Sequence, residues 1–272
     1  ASSDIEISYS NIQGGELNIG GSGDVIWGEG NITDDPLFCD VDSNDYTLAE
    51  NSTSIGMGAL GVGCGPMNDD TYTGPWYVSL DGSDEGDGTI DNPFLTIQSG
   101  IDISASGDSV LVGPGTYNES ISYNGKQIVV MSTDGASSTF INSANTHVSF
   151  EDQEQSGAVL RGFTLSGNSE RGIYLGENSS PVLQDLVIYN KSYGVYCYYF
   201  NDPILINVTL VGNMVGLFTN LHYHNIVFNN SILWYNSSMP IHISQYSSVS
   251  ISNSNIQGGE INIGGAGDVN WG

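Results

Sequence analysis

One short pattern returns five times between Ala158 and Gly259, as AVLRGFTLSGN, PVLQDLVIYNK, PILINVTLVGN, NNSILWYN and ISNSNIQGG. Leu165, Ile188, Leu210, Leu233 and Ile256 form one apolar column, at steps of 23, 22, 23 and 23 along the chain. Leu160, Leu183, Leu205, Phe228 and Ile251 form a second column at the same steps. A fixed period in this range marks stacked structural units. Apolar residues alternate within each unit, as in half-buried strands. No helix of useful length fits beside those strands, so each unit reads as one turn of a coil of strands, stacked on the next at about 4.8 Å.

A second strand follows in each unit: GIYL at 172–175, GVYC at 194–197, GLFT at 216–219, PIHI at 240–243 and EINI at 260–263. Strand side chains alternate. Ile173, Val195, Leu217, Ile241 and Ile261 should therefore point inward, together with Leu175, Cys197, Thr219, Ile243 and Ile263. Tyr174, Tyr196, Phe218, His242 and Asn262 should point out. Gly162, Asp185, Asn207, Asn230 and Asn253 share a third column, at the bend between strands. Asn tolerates the unusual backbone angles of a tight bend, and its amide can bond along a stack.

With these columns the chain resembles the right-handed parallel β-helix family, which includes pectate lyases and many secreted repeat proteins. The resemblance implies an all-β fold of parallel coils, with a period of about 22–23 positions per coil. Residues 76–120 add to it through YVS at 77–79, DGS at 81–83, NPFLTIQ at 92–98, GD at 107–108 and VGPGTYNE at 112–119, similar to the opening of β-helices in polysaccharide-acting and adhesive secreted proteins. Leu95, Ile97, Ile101 and Ile103 suggest a short amphipathic helix that plugs the open end. Such a plug covers strand edges that would otherwise pair with anything suitable. Coils continue through QIVVMS at 127–132, STFINS at 138–143 and HVSF at 147–150.

Near the start, NIQGGELNIGGSGDVIWG at 11–28 recurs at 255–272 with Leu17, Ser22 and Ile26 exchanged, at a constant offset of 244. This reads as a window on a tandem array: residues 1–28 as the terminal coil of a preceding module, residues 76–272 as the next module. A local duplication of one coil is the alternative. Residues 29–65 leave the period and resemble the DPLF…DYTL…S…IG…G tail that closes β-helix modules. By that resemblance they form an irregular cap or connector, which Cys39 and Cys64 would staple. Cys197 falls in an inward column and reads as a buried free thiol. Residues 66–75, PMNDDTYTGP, read as a linker.

With 31 acids against 4 bases the formal charge is -27. Such a charge repels nucleic acid and anionic membrane surfaces. No apolar run reaches the length that spans a bilayer, about 18 residues, so membrane insertion is not expected. No signal peptide is recognised at the start. A disulfide, few lysines and long polar loops favour an extracellular setting.

Chemistry on a β-helix must lie on an outer face. Hydrolysis of a glycosidic bond needs two carboxylates about 5–9 Å apart, and elimination from a uronate needs a strong base with calcium. The outward column offers neither, and Arg161, Arg171, Lys191 and Lys126 are scattered, so no enzyme is expected. Tyr174, Tyr196, Phe218 and His242 form either a purely structural stack or a platform for sugar rings or another protein. Asp40, Asp42 and Asn44 alternate as in calcium loops, although the sixth and twelfth positions do not fit the helix–loop–helix form. Asp81, Asp84 and Asp87 gather in DGSDEGDGTID, and calcium is the one cofactor expected. The reading that results is an extracellular structural or adhesive protein of tandem β-helix modules, whose partners are copies of itself or neighbouring modules, end to end. The alternative is a carbohydrate-binding or polysaccharide-cleaving module of the pectate-lyase type.

Overall fold

The computed structural model describes residues 75–272, apart from residue 222. Of residues 1–74 it describes five strands and short segments around them: 5–8, 10–12, 19–20, 24–28, 31–33, 36, 38–40, 45–49, 52–54 and 62–64. The chain divides into two compact units, 1–72 and 73–272.

The second unit is a coil of parallel strands in three sheets, of nine, seven and seven strands. Each turn contributes one strand to each sheet in order. A single turn runs Val182–Gln184, Val187–Tyr189 and Lys191–Cys197, and the next runs Ile204–Ile206, Thr209–Val211 and Val215–Thr219. Both expected columns are strand registers. Leu160, Leu183, Leu205, Phe228 and Ile251 stand opposite one another in the first sheet. Leu165, Ile188, Leu210, Leu233 and Ile256 do so in the second. The core is these stacks, each member closed to solvent or nearly so. The third sheet supplies Ile173, Val195, Leu217 and Ile241, all fully buried.

The bend column behaves as its composition requires. Gly162, Asp185, Asn207, Asn230 and Asn253 are all left-handed, with φ of 80°, 53°, 55°, 53° and 49°. That region is costly for most residues and tolerated by Asn, Asp and Gly. Their amides bond along the stack: Asp185 N donates to Ile206 O, Asn207 N to Asn229 O and Asn230 N to Ser252 O, at 3.0–3.2 Å. The Asn207 side-chain amide also donates to the Asp185 carboxylate at 2.9 Å.

The plug at the first end is the helix Ile97–Ile103. Thr96 caps its start, and the Glu119 carboxylate accepts from Ile97 N and Gln98 N at 2.9 and 3.0 Å. Lys126 Nζ donates to Ile101 O and Asp102 O at 2.7 Å each. Charge therefore opposes the helix dipole at both termini. Ile97 and Ile101 are fully buried. Leu95 precedes the helix and Ile103 is 53% exposed, so neither belongs to its covered face.

The last coil also departs from the sequence reading. Gly258 and Gly259 take φ of 82° and 61°, and Gly259–Asn262 forms a 3-10 turn instead of the expected strand. The turn displaces the strand along the chain. That strand becomes Ile263–Gly265, Ile241 stands opposite Ile263, and Gly264 replaces Asn262 beside His242. Ile261, expected inside, is 94% exposed.

In the first unit, Phe38–Asp40, Asp45–Ala49 and Val62–Cys64 form a three-stranded sheet with Asp45–Ala49 in the middle. The strands that carry Cys39 and Cys64 are therefore the two outer ones. Two strand spacings are roughly 9–10 Å, against the ~7 Å that a disulfide spans between Cα atoms. The side chains of Cys39 and Cys64 lie outside the described residues. Cys197 is a buried free thiol, pushed well up by loss of water around the thiolate.

Candidate functional site

The third sheet turns one column of rings outward. Tyr174 stands opposite Tyr196, Tyr196 opposite Phe218, and Phe218 opposite His242. The ring centroids lie 5.8, 5.3 and 4.6 Å apart, with interplanar angles of 36°, 28° and 19°. All four side chains are half-buried. The cause is register: parallel strands repeat every ~4.8 Å, close to the spacing at which tilted rings stack. Neighbours thus occupy most of each ring's faces. What the column offers outward is ring edges and two phenol hydroxyls.

The strand start adds more. Tyr193 packs edge-on to Tyr196 at 5.2 Å and against Phe218 at 5.1 Å. The Arg171 guanidinium lies 5.1 Å from the Tyr174 ring centre and 4.7 Å from that of Tyr196. Both distances are within cation–π range. Arg171 also donates to the exposed Glu170 carboxylate at 3.1 Å. Loss of water raises the Tyr174 and Tyr196 hydroxyls above their ordinary pKa, with Glu151 adding at Tyr174. Both phenols stay protonated near neutral pH and can donate. Two buried atoms of this cluster, Arg171 Nε and His242 Nδ1, have no hydrogen-bond partner. Such atoms are rare in folded proteins and ask for an explanation.

Spacing in the sequence does not reveal three features of the structure. Arg171 reads as scattered in the sequence, because its contact with the rings crosses from one coil to the next. Phe200, Tyr223 and Tyr246 form a second outward ladder, with centroids 5.4 and 5.9 Å apart and planes within 16°. All three have positive φ and are exposed. Their steps of 23 and 23 are visible in the sequence, but in loops rather than strands. Third, Lys191 is not on the surface. It is 3% exposed, its ammonium bonds Gly167 O, and it lies 3.3 Å from His147 Nε2. His147 is fully buried. Burial lowers both, and Lys191 falls from 10.5 to about 8.

Of the expected calcium residues, Asp81, Asp84 and Asp87 are described and do not form a metal cluster. Asp42 and Asn44 lie outside the described residues, as does the side chain of Asp40. Among the described residues no three acids, histidines or cysteines converge as a metal site, Asp81, Asp84 and Asp87 included. Asp87 instead accepts from Thr89 N and Thr89 Oγ1 at 3.0 and 2.7 Å. Among the described residues no helix is long and apolar enough to cross a membrane.

Three stacked parallel sheets, an inward apolar ladder and an outward ring column define a β-helix. The family model described as "Right handed beta helix region" matches residues 80–256, and the chain belongs to that family. It is similar to pectate lyase PEL9 of Emericella nidulans, 30% identical over 123 residues, which is 44% of this chain and 29% of that protein. It is also similar to the uncharacterized protein YwoF of Bacillus subtilis, 36% identical over 72 residues, 26% of this chain and 14% of that protein. The matched stretches thus span less than a third of either relative. No solved structure matches the chain.

Proposed function

We propose that this protein is a secreted carbohydrate-binding β-helix module that holds a polysaccharide along the outer face of its third sheet without cleaving it. The observation that carries this reading is the outward Tyr174–Tyr196–Phe218–His242 column with the Arg171 guanidinium against its rings. A linear polymer suits a linear, repeating surface. Sugar hydroxyls supply both donors and acceptors, which ring edges, phenols and a guanidinium can engage. Likeness to a pectate lyase supports the substrate class. The column carries no carboxylate of its own, and Glu170 is engaged by Arg171, which supports binding without hydrolysis.

The test is a panel of neutral and uronate polysaccharides in affinity electrophoresis, with a parallel assay for new reducing ends and unsaturated products. Replacing both Tyr174 and Tyr196 by Phe removes two hydroxyls and keeps the rings. Binding is expected to weaken about tenfold, as for two hydrogen bonds, with an unchanged unfolding temperature. Equal binding by the variant, or no polysaccharide bound by the parent, ends the proposal; cleavage products end its non-catalytic part.

The repeat at offset 244 favours a second reading, an extracellular structural or adhesive role in an end-to-end array of modules. Electron micrographs of native material that show single short rods and no filaments would remove it. In either role calcium is expected to stabilise the protein, whose formal charge is -27. A divalent cation relieves the self-repulsion of such a charge. Exhaustive chelation should lower the unfolding temperature in a way that added sodium does not restore.

A further inference from the structure

The repeat at offset 244 extends to hydrogen bonds. In the first unit Ile5–Ile7 pairs in parallel with Val25–Trp27, Ile5 opposite Val25 and Ile7 opposite Trp27. Gly28 N donates to Ile7 O at 2.7 Å. At the matching positions of the second unit, Val249 stands opposite Val269 and Ile251 opposite Trp271. Gly272 N donates to Ile251 O at 2.9 Å. The same coil is built twice.

In the first unit that coil is covered by the chain that follows it. Ile32 bridges Asn11 in parallel, with Ile32 N donating to Ser10 O at 2.9 Å and Ile12 N donating to Ile32 O at 3.1 Å. Asn31 acts as a three-way clasp. Its Nδ2 donates to Ile7 O at 2.7 Å and Gly28 O at 3.1 Å, and its Oδ1 accepts from Ser10 N at 3.0 Å. Asn11 Nδ2 donates to Ser54 Oγ at 2.6 Å.

In the second unit the same edge is the last of its sheets: Asn255–Ile256 and Asp268–Trp271 have a neighbouring strand on one side. Asn255 N and Gln257 N donate back into the stack, to Ser231 O and Leu233 O. Strand alternation then turns Ile256 N and Ser254 O to the open side. Every partner used by the first-unit cover recurs unchanged: Ile7, Ser10, Asn11, Ile12 and Gly28 as Ile251, Ser254, Asn255, Ile256 and Gly272. Trp27 and Asn11 are half-buried, whereas Trp271 and Asn255 are exposed.

We propose that the edge formed by Asn255–Ile256 and Asp268–Trp271 is a docking surface for a second copy of the segment 29–54. The Asn of that copy clasps Ile251 O, Gly272 O and Ser254 N. Its following Ile bridges Asn255 through Ser254 O and Ile256 N, and its serine equivalent to Ser54 takes the Asn255 amide. An open strand edge pairs with many strands. The clasp selects one partner in one register. This surface is independent of the ring column, so each proposal fails separately.

The experiment extends the chain beyond Gly272 with a copy of residues 29–72, beside a second extension of the same composition in scrambled order. Amide hydrogen exchange is read at Ser254 and Ile256, with unfolding temperature alongside. The cognate extension is expected to slow both amides at least tenfold and the scrambled one to leave them unchanged. Equal exchange with the two extensions overturns the proposal. A second measurement needs no extension: Asn31→Ala in the parent chain should speed exchange of the Ser10 amide tenfold or more. An unchanged Ser10 rate overturns the clasp, and with it the transfer to the second unit.

Discussion

Replacing Phe228 by alanine is expected to lower stability by about 3–5 kcal/mol, the range for deleting a fully buried aromatic side chain. Phe228 is closed to solvent and stands between Leu205 and Ile251 in the first-sheet stack. A coil touches only the coils above and below, so the surrounding ladder cannot collapse without breaking two strand registers. The size of the loss is a large share of the ~5–15 kcal/mol that holds a typical domain. Val227→Ala is the control. Val227 is the adjacent residue on the same strand, partly exposed on the outer face. Its truncation should change stability by no more than roughly 0.5 kcal/mol, as for surface substitutions in general. Denaturant unfolding of the two variants gives the comparison. Similar losses at both positions would mean that the inward and outward faces are misassigned.

The second large effect concerns Lys191. Replacing it by methionine is expected to raise stability at pH 7 and to remove the contribution by which Lys191 favours folding as pH rises above 8. The folded lysine is lowered from 10.5 to about 8 because burial disfavours its charge. Below pH 8 both folded and unfolded chains carry the proton, and the folded state bears the full cost of the buried ammonium. Between pH 8 and 10.5 Lys191 holds its proton more fully in the unfolded chain than in the folded one. The contribution of this one residue to stability therefore climbs with pH through that window, by ~3 kcal/mol in all. Methionine fills a similar volume without the charge, and exchanging buried ions for apolar groups is often stabilising. The measurement is the difference in unfolding free energy between parent and variant from pH 6 to pH 10.5. The phenols and the Cys197 thiol raised by burial are common to both chains and cancel in the difference. A difference that does not change with pH would place the lysine charge in water.

The sequence by itself determined the coil. A residue that must face inward at a fixed place in every turn repeats at the length of the turn, so Leu160 to Ile251 and Leu165 to Ile256 could be stacked before any coordinate was known. The bend column was legible for a similar reason. Left-handed backbone favours few residue types, and Gly, Asp and Asn stand at all five bend positions, each with positive φ. The ring column followed from strand alternation.

Tertiary structure alone decided the rest, because the rest depends on contacts between turns that no spacing encodes. Two left-handed glycines shifted the last strand and left Ile261 outside. Arg171 became part of a site through rings on its own coil and the next. Lys191 went inside because carbonyl and imidazole groups from earlier turns receive it there. Lysine as a residue type argues for the surface. The repeat at 244 was plain in the letters, yet only hydrogen bonds showed that one copy of that coil is clasped by Asn31, while strand order makes the other the last of its sheets. Periodicity records which way a side chain faces; which neighbour it meets is settled when the coils stack.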